Sequence, residues 1–200
     1  MEEKQLTEKE SLLLISKMIS TAKKSYYESG TGAMLWGFTN CICFSVAYLQ
    51  EKIKGFYFPF NPFLLMIFAF IIQFYFEKKE RKFKEVTSHH EEALKYIWST
   101  FGISVFILTV GGGVANIGYS VFPPLLIIFA IPTFITGCIN KFIPMIIGGI
   151  ICWLLGIAAF FMIGPNTYLL TAIGAFFAWV IPGIILRIRF LRSRNLQYGV

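Results

Sequence analysis

Aspartate is absent from this chain, and charge of any kind is scarce: 14% of residues carry one, against roughly 25% in an average soluble domain. The few charges are also unevenly spread. There are 22 uncharged residues between Glu28 and Glu51, 22 more between Lys54 and Glu77, 45 between Lys95 and Lys141, and 45 between Lys141 and Arg187. A soluble domain of this length would alternate polar and apolar faces, and these runs show no such alternation. The absences bear on chemistry too. No ionisable acid, base or histidine lies inside a run, whereas proton relays, ion-coupled pumps and voltage sensors depend on one. Neither histidine sits near a serine nucleophile within a run, and no phosphate-binding glycine loop is present. No catalytic set, cofactor or metal is therefore expected, and the chain reads as a non-enzyme.

What remains is apolar. Hydrophobic residues make up 56% of the 200 positions. One helix needs about 20 apolar residues to cross a hydrocarbon core some 30 Å thick, so each 22-residue gap holds one crossing and each 45-residue gap holds two with a tight turn. The fold class expected is all-α, an integral membrane bundle of about six transmembrane helices preceded by an amphipathic helix. The spans expected are Gly32–Gln50, Tyr57–Phe76, Ile97–Ile117, Phe122–Ile139, Phe142–Ile163 and Thr167–Leu186. This divides the chain into an amphipathic helix and linker (1–30), a six-helix domain (31–187) with a second cytoplasmic loop (77–95), and a basic tail (188–200).

Orientation follows from the basic residues. With an even number of crossings and the start inside, 16 of the 18 Lys and Arg fall on the cytoplasmic side, and only Lys52 and Lys54 fall outside. That is the positive-inside bias, and it places both termini in the cytoplasm. The net charge of +7 is thereby explained by topology and by anionic headgroups, so no nucleic-acid partner is expected. Trp36, Tyr96 and Trp98 mark the inner ends of spans, and Tyr48, Tyr57, Tyr119 and Tyr168 the outer ends. The cysteines, Cys41, Cys43, Cys138 and Cys152, lie in or near spans without metal or redox spacing.

Thr7-Glu8-Lys9-Glu10 reads as a capping box. The helix it opens carries Leu12, Ile15, Met18, Ile19, Ala22 and Tyr26 on one face and Lys17, Ser20, Thr21 and Lys24 on the other. Such a helix can lie in the interface, dock beneath the bundle or pair with another protein. The first thirty residues lack the short apolar core of a cleavable signal. His89, His90, Glu91 and Glu92 concentrate metal-ligand types, but Ser88 reads as a fresh N-cap, which makes a solvated helix start the better reading.

Two sets of residues inside the spans invite a role. Asn40, the triplet Gly111, Gly112 and Gly113, and Asn116 could line a substrate path if the third span unwinds there. Fraying toward the outer turn, or a close helix approach, is the plainer reading of the glycines. Gly148, Cys152 and Gly156 form one ridge of small residues and Gly174, Ala178 and Pro182 another, so the last two spans should pack closely; a contact between two copies of the chain is the other use of such ridges.

Leu6-Thr7-Glu8-Lys9-Glu10-Ser11-Leu12, Ile15 to Ile19, Ala22-Lys23 and Leu35-Trp36-Gly37 resemble small multi-pass membrane proteins of Bacteroidota, a group of unknown function. The resemblance implies a bacterial inner membrane and assigns no functional residue. Partners expected from the residues are the lipid bilayer and a cytoplasmic or membrane protein, reached through the cytoplasmic face. The alternative is a small transporter or permease subunit for a neutral or apolar solute.

Overall fold

The computed structural model describes residues 30–81 and 89–198. The amphipathic helix with its capping box, the Ser88 cap and much of the second loop lie outside the described residues. Within them the fold is all-helical: α1 (Thr31–Lys52), α2 (Leu64–Arg81), α3 (His89–Val114), a 3-10 turn (Gly118–Val121) leading into α4 (Phe122–Ile139), α5 (Ile143–Phe161), α6 (Asn166–Ala175), a π turn (Phe176–Val180) and α7 (Ile181–Tyr198). Backbone so poor in polar neighbours must satisfy its own hydrogen bonds, and a helix does so within one segment. Five stretches are long and apolar enough to cross a bilayer: Thr31–Lys52, Glu92–Val114, Gly118–Ile139, Ile143–Phe161 and Asn166–Arg192. This is the architecture of a multi-pass membrane protein. The basic tail expected from residue 188 continues the last helix to Tyr198.

Of the six spans expected, Tyr57–Phe76 is the one not among these five. Tyr57–Phe76 was expected to be one apolar helix, but the helix starts only at Leu64. Pro59 and Pro62 supply no amide proton, and the Asn61 side chain accepts a hydrogen bond from the Phe63 amide at 3.0 Å, turning the chain before the helix begins. The segment ahead of it runs back along α1: the Gln50 amide donates to the Phe58 carbonyl at 3.2 Å, and the Cys43 thiol to the Pro62 carbonyl at 3.0 Å. Seven residues of α1 separate those anchors, so the non-helical segment descends about 10 Å beside the helix. The apolar helical part left, Leu64–Phe76, is about 20 Å long.

Two helix ends close alike. The Ile117 amide reaches the Gly112 carbonyl at 3.1 Å and the Asn116 amide the Gly113 carbonyl at 3.2 Å; Asn116 has φ 53. After α4, the Phe142 amide reaches Gly137 at 2.8 Å and the Lys141 amide Cys138 at 3.2 Å, with Lys141 at φ 49. Both are Schellman endings, whose left-handed position favours glycine. Lys141, unlike asparagine, has no short polar group to ease that conformation. Lys141→Gly should therefore raise stability by about 1 kcal/mol, seen as a rise of roughly 3 °C in the unfolding midpoint of the detergent-solubilised chain.

The most extensive contact is α4 on α5; α1 lies against α6, the π turn and α7, while α2 attaches to α1 and α3 to α4. At the centre stands Trp179, 3% exposed. Its ring stacks on Phe129 at 4.9 Å and meets Phe101 at 6.0 Å and Trp98 at 6.1 Å. Its indole N–H donates to the Thr133 hydroxyl at 2.9 Å, which donates onward to the Phe129 carbonyl at 2.9 Å. The π turn that carries Trp179 precedes Pro182, which has no amide proton to offer the Ala178 carbonyl four residues back. That wider turn fits because glycines flank it. A Cβ on Gly148 would stand 2.6 Å from the Phe177 carbonyl oxygen and 2.8 Å from the Ala178 Cα, and one on Gly37 would stand 2.8 Å from the Val180 nitrogen.

Candidate functional site

The residues singled out for a substrate path are not brought together. Asn40 is 2% exposed and its amide donates to the Trp36 carbonyl one turn below at 2.8 Å, a local bond that closes the side chain on its own helix. Gly111 and Gly113 keep to the helix and face open space, where an added Cβ would meet nothing within 4 Å. Gly112 turns inward onto Ile117 and Val121. Asn116 serves the Schellman ending. The glycine triplet is thus the last turn of α3 rather than an unwound stretch.

The small-residue ridges meet in part as expected. Gly148 abuts Phe177 and Ala178. The Cys152 thiol contacts the Gly174 carbonyl at 3.4 Å. Gly156, however, faces α4, where its added Cβ would lie 3.0 Å from the Ile127 side chain. Gly174 likewise points between α4 and α5, toward Leu126 and Cys152. Cys41 and Cys43 diverge, the first toward the Ala172 carbonyl at 3.4 Å and the second toward Pro62.

One open concavity combines polar groups with rings, and the sequence reading did not single it out. It lies at the end of the bundle away from Lys141 and Arg187, between the last turn of α1, the non-helical segment before α2 and the start of α6. Its volume is about 350 Å³, and Gln50, Glu51, Tyr57, Asn61, Phe63 and Tyr168 contribute to its lining. The descending segment makes one wall, held by the Gln50 and Cys43 bonds. Two rings of the lining, Phe63 and Tyr168, have centres 6.3 Å apart, and Tyr168 also packs on Phe122 at 4.8 Å, Tyr119 at 5.5 Å and Phe44 at 6.3 Å. Tyr119 is a near neighbour of Glu51. Non-helical backbone in a membrane protein has to be covered by protein or reach water or a polar cavity, and this segment lines the open concavity. The signal available in the sequence was Pro59-x-Asn61-Pro62, which forbids an uninterrupted helix and so makes room for a cleft.

At the other end, α7 docks on the turn between α4 and α5, with the Arg189 guanidinium 5.1 Å from the ring centre of the buried Phe142. This fastens the basic part of the last helix to the bundle. No family model, curated protein or solved structure matches the chain.

Proposed function

We propose that this protein is a non-enzymatic component of a bacterial inner membrane, with both termini in the cytoplasm, which engages a protein partner through its cytoplasmic face. The observation that carries the reading is the closed interior of the bundle. Most of its polar side chains, Asn40, Thr133, Thr171 and Trp179 among them, are occupied by their own helices or by each other, the Thr136 hydroxyl and the Gln73 side-chain oxygen being the buried exceptions. The side-chain chemistry left over is concentrated in the amphipathic stretch 1–26, the second loop and the basic end from Arg187, which together hold 15 of the 18 Lys and Arg residues. The amphipathic stretch can offer a partner a continuous apolar face.

The test is to purify the full chain and a variant lacking residues 1–26 from the same membranes after mild crosslinking. The variant should lose its specifically crosslinked partner by about tenfold while its bundle unfolds at an unchanged temperature, since tenfold corresponds to about 1.4 kcal/mol of binding. Equal recovery from both chains would sink the reading.

A further inference from the structure

We propose that the cleft bounded by Glu51 and Tyr168 binds an organic ammonium group, primary or quaternary. Glu51 is the charged residue of its lining. The two cations of this end, Lys52 and Lys54, are exposed and stand outside that lining. Tyr119 lies beside the Glu51 carboxylate, which offers about four acceptor sites. Phe63 and Tyr168 share that lining, and a soft cation seeks, besides a counter-charge, an aromatic ring. Tyr57 stands exposed at the rim and can close over a bound group from above. An inorganic cation would want a shell of oxygens at short range, and Glu51 is the one carboxylate of this lining. A neutral apolar ligand would leave the charge of Glu51 without a counter-charge. The volume of about 350 Å³ exceeds that of a trimethylammonium group, so the rest of the ligand extends out through the open mouth. The inference stands on the geometry of this end of the bundle alone and is independent of the cytoplasmic partner.

An ammonium group can arrive on a free small molecule or on a lipid headgroup, and the experiment separates the two. Tetramethylammonium is titrated by ligand-detected NMR against the full chain in dodecyl maltoside micelles, with tert-butanol as a neutral probe of similar shape. Tetramethylammonium should saturate and tert-butanol should not. Glu51→Gln keeps the shape of the side chain and should weaken binding by at least about tenfold, as loss of a charge-assisted contact does. Tyr57→Leu should weaken it about threefold through loss of one ring, and Lys54→Gln should leave it unchanged. Phosphatidylethanolamine added to the micelles, but not diacylglycerol, displaces the probe if the occupant is a headgroup; displacement by neither lipid assigns the cleft to a free ammonium compound. Equal binding of tetramethylammonium and tert-butanol overturns the proposal, as does unchanged affinity in both Glu51→Gln and Tyr57→Leu chains whose unfolding temperatures match the parent.

Discussion

Gly148→Val should lower the stability of the folded chain by about 3 kcal/mol or more, at the upper end of what overpacking costs. The obstacle is backbone. The first carbon added at position 148 arrives 2.6 Å from the Phe177 carbonyl oxygen and 2.8 Å from the Ala178 Cα, and neither can rotate away as a side-chain tip could. To admit it, α5 and the π turn must separate, which breaks the Cys152–Gly174 contact one turn along. Gly37→Val presses on the same turn from the other side, with its Cβ 2.8 Å from the Val180 nitrogen. The measurement is the thermal midpoint of the purified chain in detergent, with a fall of roughly 10 °C expected for Gly148→Val. As a control, Gly113→Val faces open space and should move the midpoint far less. An equal shift for positions 113 and 148 would mean that the π turn is not clamped as described.

Trp179→Ala is the second large effect expected, a loss of about 3–5 kcal/mol as for other aromatic truncations in packed interiors. Between helices in lipid there is little hydrophobic drive, so packing contact and interhelical hydrogen bonds carry the association. Trp179 supplies both, touching rings from α3 and α4 and donating to Thr133. Thr133→Val isolates the hydrogen bond: it keeps the shape, removes the acceptor and leaves the indole N–H buried without a partner, at about 1–3 kcal/mol. Unfolding in mixed micelles should rank the two in that order. If Thr133→Val proves neutral, the Trp179 ring alone holds α3 and the π turn to α4.

The helices of the bundle could be read from the spacing of charges, because a crossing excludes charge over a length set by the bilayer and not by the fold. Lys141, alone between two 45-residue runs, marks the tight turn between α4 and α5 for this reason. The second crossing was misread because apolarity registers membrane depth without registering backbone shape: Tyr57 to Phe63 is as apolar as a helix would be, yet two prolines and Asn61 hold it open. The pairing of Trp179 with Thr133 spans 46 positions and no local pattern announces it. Nor does any residue type announce a π turn; Pro182 and the flanking glycines acquire that meaning only once α1 and α5 are seen on either side. The triplet Gly111–Gly113 shows the converse. Its composition leaves unwinding open beside the plainer reading of fraying, because composition cannot tell a helix that opens from one that merely ends, and Asn116 in a left-handed turn makes it the latter.

The short second helix also gives the bundle a direction within the plane of the bilayer. On the side of α5, 19 helical residues offer lipid an apolar wall about 28 Å high, close to the thickness of the hydrocarbon. Beside α2 the helical wall is only about 20 Å high, and above it the chain needs water or headgroups for its amides. Acyl chains on that flank must shorten or splay, and the polar boundary is drawn inward there at a cost of fractions of a kcal/mol per ångström of mismatch. Neighbouring proteins that deform the membrane in the same sense share that cost when they stand against α2, so the thin flank has its own preference for company.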